Sequence, residues 1–214
     1  DGNTVVFSAR DAGRGEAWST NFDLFEAPLD GSRAPRRLTA ENRAWDTQPV
    51  FSPDGKTLAY LAMARPGYEA DRQRIVLLDW ATGTARPLTE SWDRSPGEIA
   101  WAPDGRAIWC TADNLGQSSI FRVDVKTGQA AEVAQEGTNH ALQPVKNGVL
   151  FLRNSLRGPD ELHFVAADGK NPRRLTAFND ARLAAAKLGE PEQFSFPGWN
   201  GETVHGYLVK PIDF

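Results

Sequence analysis

The sequence predicts an all-β fold, part of a β-propeller built from four-stranded antiparallel blades, and two repeated patterns support this prediction. The first is a tight reversal between short apolar runs, best developed at Thr47–Leu61 as TQPVFSPDGKTLAYL. Proline presets φ, aspartate bonds its own downstream backbone, and glycine accepts a positive φ, so this order favours a hairpin. The turn recurs at Asp1-Gly2, Asp54-Gly55, Asp104-Gly105 and, more weakly, Asn147-Gly148. The spacings of 53, 50 and 43 residues are typical of propeller blades.

The second pattern stands at the end of the repeat units and gives the same unit boundaries as the turns. It is a Leu-Thr pair after basic or proline residues, at 37–39, 86–89 and 172–176, whereas the third unit ends in Ala131-Glu132-Val133-Ala134. Short β-branched and aromatic runs fill each unit, and no helical periodicity competes with them. Four such strands, A to D, form a blade. We therefore predict blades at about 1–46, 47–96, 97–139 and 140–177.

The expected strands follow from these turns. They are 4–9, 23–28 and 35–39 in the first unit; 48–52, 56–63, 74–79 and 84–89 in the second; 97–101, 106–111, 118–124 and 129–134 in the third; and 140–144, 149–153, 160–166 and 172–176 in the fourth. The first unit has no run for strand A, which we interpret as a chain that begins within a blade of a larger propeller. Partial or complete burial is expected for Val50, Phe51, Leu58, Tyr60, Ile75 and Leu77.

The repeat stops after residue 177, and a different segment follows. Asn179 or Asp180 can cap a helix over 181–188, which Gly189 and Pro191 end. Two strands, 193–196 and 203–209, come next. We interpret 178–214 as a helix and hairpin that link the propeller to another domain.

Composition excludes several classes of function. The chain has 214 residues, a formal net charge of −4 and mixed charge signs, which indicate neither nucleic-acid binding nor a membrane surface. No apolar run approaches the roughly 18 residues that span a bilayer. Cys110 is the single cysteine, so no intrachain disulfide can form, and its apolar neighbours predict a buried thiol.

Metal and cofactor sites are not indicated. His140, His163 and His205 share no metal-ligand spacing. The acids of the Asp-Gly turns stand where turn geometry requires them, and no calcium-loop series appears. Gly13-Arg14-Gly15 lacks the residues of a phosphate-binding loop. We expect no cofactor and no metal.

Four tryptophans are candidates for ligand stacking. Trp101 and Trp109 fall on predicted strands, where large side chains fill the space between blades. Trp45 and Trp92 fall in the connections between blades, so a position on a face of the ring stays open for them.

The best candidate for a binding segment is the loop Ala64–Gln73, which is longer than a hairpin requires. It carries Arg65, Glu69, Asp71 and Arg72. The alternative is a solvated loop with local ion pairs. In an up-down blade the B–C loops and D–A connections share one face of the ring. We call this the loop face; its long charged segments are 11–22, 41–46, 64–73 and 90–96.

The motifs resemble one known family. The strings FSPDGKTLAYL (51–61) and WAPDGRAIW (101–109) resemble propeller blades of the prolyl oligopeptidase family of serine peptidases, and similar repeats occur in the TolB propeller. Residues 178–211 resemble the segment by which that family passes from its propeller into its α/β-hydrolase domain. Residues 64–79 resemble the dipeptidyl-peptidase and acylaminoacyl-peptidase branch.

This resemblance implies a propeller segment that limits substrate access to a Ser-Asp-His site on a following domain. The implied partners are further blades, the hydrolase domain and a peptide substrate, in a periplasmic or secreted location. The chain itself has no G-x-S-x-G motif, and its histidines fit no triad order, so no catalytic residue is assigned. Glu69 or Asp71 could hold a substrate ammonium. The alternative is a non-catalytic TolB-like propeller that binds proteins.

Overall fold

The computed structural model describes residues 2–11 and 13–212, so Asp1, the first residue of the first predicted turn, lies outside the described residues. Short strands and tight turns succeed one another through 4–174, and a short helix and a hairpin follow. Within each blade, neighbouring strands pair antiparallel in chain order, which confirms the all-β, partial-propeller prediction. No described helix has the length and apolarity needed to span a bilayer.

The strands group into blades. In the first blade, β1, β2 and β3 are Thr4–Ala9, Asp23–Pro28 and Arg36–Arg37, with a 3-10 helix at Gly13–Trp18. In the second, β4 to β7 are Asp46–Phe51, Thr57–Ala62, Arg74–Asp79 and Ala85–Pro87. In the third, β8 to β11 are Pro96–Trp101, Ala107–Asn114, Gln117–Asp124 and Ala130–Ala134. In the fourth, β12 to β15 are Thr138–Val145, Gly148–Ser155, Gly158–Ala166 and Arg173–Arg174.

Consecutive strands pair antiparallel within each blade. One parallel bridge, between Ser118 of β10 and Thr138 of β12, joins the third and fourth blades into a continuous eight-stranded sheet. The innermost strands β4, β8 and β12 each contain a register shift against their partner. Such bulges bend a strand and increase its twist.

The Asp-Gly turns are built as their sequence predicts. The Asp54 carboxylate accepts hydrogen bonds from the Ser52 hydroxyl at 2.6 Å and the Lys56 N–H at 3.1 Å. Gly55 follows with φ of 69°. Asp104 accepts from the Arg106 N–H at 2.9 Å in the same way. The turn acids therefore bind their own backbone.

The Leu-Thr pairs have a structural role that the sequence pattern did not reveal. Each threonine hydroxyl accepts a hydrogen bond from a backbone N–H of the strand that pairs with the short outer strand of its blade. The pairs are Thr39 with Leu24 at 3.0 Å, Thr89 with Ile75 at 2.9 Å, and Thr176 with Leu162 at 2.9 Å. This bond satisfies an N–H beyond the end of the short outer strand, which explains why the pair recurs where units close.

The hydrophobic core lies between blades. In β5, Leu58, Tyr60 and Ala62 pack toward the first blade, whereas Ala59 and Leu61 pack toward the third. A further cluster, between the third and fourth blades, contains the largest fully buried side chain, which is Trp109.

The sequence predictions for core residues were right except at one position. Trp101 and Trp109 are buried, and Cys110 is fully buried, so desolvation raises the pKa of its thiol. Phe51, however, is 37% exposed, and the prediction of its burial was wrong. It points toward the first blade, whose described strands include no innermost strand to cover it. Its ring instead packs edge-on against Trp80, at 4.8 Å between centroids.

The terminal segment contains helix α1 at Asp180–Ala185 and strands β16 at Pro191–Pro197 and β17 at Thr203–Val209. The helix is shorter than predicted because Ala186 takes extended dihedrals. Asn179 stands at the N-cap position, but its side chain binds Glu161 rather than the helix. The predicted limits of blades and linker remain predictions.

Candidate functional site

The loop Ala64–Gln73 is tied to the connection between the second and third blades. Arg72 donates to the carbonyl oxygens of Thr89 at 3.0 Å and Glu90 at 2.8 Å. The Gln73 N–H donates to the Ser95 hydroxyl at 3.0 Å. These bonds place two of the long charged segments side by side on the loop face.

Asp71 shapes the loop from within. Its carboxylate accepts hydrogen bonds from the N–H groups of Ala64 at 2.7 Å and Arg65 at 2.8 Å, across the base of the loop. Desolvation raises the pKa of Asp71, but backbone donors that include these two outweigh it and hold the pKa below its ordinary value. The carboxylate is therefore ionised and already hydrogen-bonded.

Glu69 is the candidate residue whose carboxylate has no partner among the described residues. Arg65 lies over the Tyr68 ring, with 4.0 Å from its guanidinium carbon to the ring centroid. The Glu69 side chain is exposed and makes no hydrogen bond or ion pair within the part of the chain that the structure describes. Of the four predicted site residues, Arg65, Asp71 and Arg72 order the loop.

The first blade supplies a wall opposite this loop, from the segment 11–22 that the sequence placed on the loop face; its pairing with the loop was not predicted. Arg10 donates to the carbonyl oxygens of Glu16 and Ser19, which fixes the 3-10 helix Gly13–Trp18. The Gly67 N–H donates to the Thr20 hydroxyl at 3.0 Å and joins the two walls. No short-range motif marks this pairing, because its partners lie 47 residues apart.

Between the walls lies an open cleft of about 1070 Å³, which we call the loop cleft. Its principal side chains are Arg10, Arg14, Glu16, Trp18, Tyr68 and Glu69. Trp18 is 88% exposed although it lies on an ordered 3-10 helix. The cleft thus combines two carboxylates, basic groups and aromatic surface.

The two tryptophans of the connections brace the loop face by packing. Trp45 stacks on Phe22, with 5.3 Å between ring centroids. Trp92 meets Phe121 edge-on at 4.9 Å and packs against the core between the second and third blades. Both indoles are half-buried, and protein rings occupy their contacts.

A buried carboxyl lies beneath the loop. Asp46 has no exposed surface, and its Oδ1 accepts from the Asn42 amide at 2.7 Å. Oδ2 has no hydrogen-bond partner among the described residues. Burial raises the pKa of Asp46 to about 7. The Asn42 amide also donates to the Met63 carbonyl at 3.0 Å, directly before the loop begins.

The terminal hairpin docks on the same face. The Tyr207 hydroxyl donates to the Leu115 carbonyl at 3.1 Å, and the Gln193 amide reaches that carbonyl at 3.3 Å. Leu115 belongs to the turn between the second and third strands of the third blade. Gly116 lies so close to the Tyr207 ring that a Cβ there would stand 2.4 Å from it. The chain therefore leaves its last blade on the loop face.

His140 and His163 take part in local side-chain contacts. His140 Nε2 lies 2.9 Å from an Asp160 oxygen, and His163 stacks on Phe151 at 5.6 Å. Burial lowers the pKa of His163. Within 2–11 and 13–212, no group of three or more His, Cys, Asp or Glu side chains is placed to hold a metal ion.

Comparison with known proteins gives a consistent set of likenesses. No protein-family model matches the chain. Dipeptidyl-peptidase 5 of Porphyromonas gingivalis is 30% identical over 216 residues, which span all of this chain and 31% of that protein. The chain thus spans under a third of the length of the curated relatives it matches.

Solved structures agree on the fold. Acylaminoacyl peptidase of Pyrococcus horikoshii superposes with a TM-score of 0.73 and 18% identity, over 98% of this chain and 31% of that one. TolB of Acinetobacter baumannii superposes with a TM-score of 0.62 and 21% identity, over 82% of this chain and 42% of that one. At these sequence identities, the two superpositions show similarity of fold only.

Proposed function

We propose that this chain, which belongs to the prolyl oligopeptidase family as a portion of its β-propeller, controls substrate access and N-terminal recognition in a serine exopeptidase. The observation that carries the proposal is the shared loop face. The terminal hairpin, through Tyr207 and Gln193, leaves the propeller on the face that also holds the loop cleft. A hydrolase domain that follows the hairpin would therefore meet this cleft.

The cleft supplies the charge that an exopeptidase needs. An enzyme that removes residues from a free N-terminus must hold an ammonium group, and a carboxylate at the mouth of its site does this. Glu69 meets that requirement because its loop is ordered by Asp71 and Arg72, while its own oxygens are uncommitted among the described residues. We assign Glu69 as the ammonium anchor, with Arg65, Asp71 and Arg72 as the residues that position it.

The sequence likeness favours a peptidase over a protein-binding propeller. The 30% identity to dipeptidyl-peptidase 5 runs over the whole chain, so it includes the hairpin as well as the blades. The likeness to TolB lies in the fold, at 21% identity.

The full-length protein that contains this chain provides the test of the activity. We expect it to cleave chromogenic dipeptide substrates that carry a free amine, and a serine-directed inhibitor should abolish the cleavage. Residues 1–214 alone should leave the same substrates intact, since they hold neither nucleophile nor oxyanion donors in a recognisable motif. Inhibitor-sensitive turnover by the isolated chain, or none by the full-length protein, would contradict the proposal.

Glu69→Gln tests the assignment of the anchor. Loss of one charge-to-charge contact should lower kcat/KM for free-amine dipeptides at least about tenfold, or about 1.4 kcal/mol, and should leave N-blocked substrates unchanged. Glu41→Gln is the matched control, because Glu41 is an exposed acid on the same face outside the cleft. An equal loss on both substrate types would exclude Glu69 as the anchor.

A further inference from the structure

Trp18 has no packing role that accounts for its position. It ends the 3-10 helix Gly13–Trp18 and lines the loop cleft with 88% of its surface exposed. The helix is held by Arg10, whose guanidinium also lies over the Phe22 ring at 5.6 Å. Large exposed indoles cost solvation free energy and are enriched at binding surfaces. An ordered backbone thus presents a free indole to the cleft.

The charges of the cleft indicate what the indole would meet. Within the described chain, the side chains of Glu16 and Glu69 form no ion pair, whereas Arg10 and Arg65 are engaged with carbonyl oxygens and an aromatic ring, respectively. The uncommitted acids favour a ligand with a positive group, such as a peptide ammonium. In a peptide with a free N-terminus, the ammonium and the side chain of the first residue are bonded to the same Cα. When the ammonium is bound in the cleft, this side chain would therefore lie in the same cleft.

We infer that Trp18 binds the side chain of the first residue of the peptide, and that the protein prefers substrates whose first residue is large and apolar. This inference rests on the proposed function, since it takes Glu69 as the ammonium anchor. An indole face offers apolar contact to a leucine or phenylalanine side chain and offers a glycine none. Trp18 would be a specificity residue, separate from the anchor.

The charged groups around Trp18 are of both signs. Arg10, Arg14 and Glu16 line the cleft on the same wall as the indole. The Arg10 guanidinium is already engaged with carbonyl oxygens and the Arg65 guanidinium with the Tyr68 ring. The apolar face of the indole, rather than the charge of the wall, therefore sets the preference for a large apolar first residue.

The test compares first residues in the full-length protein. Dipeptide substrates with Gly, Leu, Phe or Lys before a common alanine should rank Leu and Phe above Gly in kcat/KM by about tenfold, or about 1.4 kcal/mol. Trp18→Ala should abolish this difference by lowering the Leu and Phe values to the Gly value. Trp18→Phe should retain most of it. Trp199→Ala is the control, since Trp199 is 89% exposed at the tip of the hairpin and outside the cleft.

The outcomes separate this inference from the function on which it rests. A flat series, a series led by Lys, or a Trp18→Ala variant that keeps the apolar preference would overturn the inference and leave the peptidase intact. Failure to cleave any of the four substrates would overturn both. A uniform loss on all four, together with a lower melting temperature, would show a structural role for Trp18 and refute a role in specificity.

Discussion

The buried carboxyl of Asp46 should make stability depend on pH in a direction opposite to that of most acids. Its folded-state pKa is raised from 3.8 to about 7, chiefly by burial and in small part by the charge of Asp23. The hydrogen bond from Asn42 and the charge of Arg74 oppose the rise. Because the folded state holds this proton more tightly than the unfolded chain, the folded state loses stability as pH rises between these two pKa values.

The size of the effect follows from the pKa. At about 1.36 kcal/mol for each pKa unit, the rise corresponds to at most about 4 kcal/mol of stability lost at neutral pH. Asp46→Asn keeps the shape of the side chain and the acceptor for Asn42 but removes the titration. We therefore expect the variant to be more stable than the unaltered chain at both about pH 5 and about pH 8, because both lie above the unfolded pKa, and we expect its advantage to grow by about 2–3 kcal/mol between these two pH values.

The assay is urea unfolding of the chain, followed by tryptophan fluorescence at both pH values. Other acids, such as Asp71, titrate in the unaltered chain and in the variant alike, so the difference between the two isolates Asp46. Asp93→Asn serves as the control, because Asp93 follows Trp92 as Asp46 follows Trp45 and its side chain is 83% exposed. A variant that is less stable at both pH values, with no change between them, would show that water or a donor satisfies the carboxylate and would refute the argument.

Two further substitutions test contacts on which the fold depends. Gly116→Ala should cost about 1–3 kcal/mol and speed proteolysis of the hairpin, because Gly116 has φ of 79° and its new methyl group would overlap Tyr207. Gly55→Ala, at φ of 69° but with open space around it, should leave the hairpin protected. Thr89→Val should lower the free energy of unfolding by about 1–3 kcal/mol, because the buried Ile75 N–H loses its acceptor; an unchanged urea midpoint would contradict this.

Local chemistry accounts for what the sequence could predict. The Asp-Gly turns set the strand limits to within a few residues, since a positive φ and a side-chain-to-backbone bond are both encoded within four positions. The predicted burial of Leu58 and Tyr60 followed from the apolar run of β5. Phe51 escaped the pattern because its exposure depends on which strand lies opposite it in the neighbouring blade, and no residue near Phe51 in sequence encodes that.

The candidate site likewise has local features that the sequence predicted and long-range contacts that it did not. The sequence identified the loop Ala64–Gln73 by its length and charge, but it could not rank the two acids. The difference between them is that backbone N–H groups donate hydrogen bonds to the Asp71 carboxylate, whereas no such bond reaches Glu69 among the described residues. The opposite wall, with Trp18, and the docked hairpin, with Tyr207, lie far from the loop in sequence. They come close to the loop because of how the blades are arranged in the ring. The period of the repeat predicts that the blades form a ring but does not predict which side chains then meet.

Adjacent residues of one strand pack in different interfaces, and this restricts how duplication can lengthen such a chain. In the six residues of β5, Leu58 and Tyr60 face one neighbouring blade, and Ala59 and Leu61 face the other. The hydrophobic clusters of the described residues lie between blades, so the contacts that stabilise the fold are concentrated at the junctions between blades. A tandem duplication of one unit supplies both halves of a new junction at once, whereas a partial duplication leaves one half without its complement. The alternation within a single strand therefore favours lengthening of the ring by whole blades.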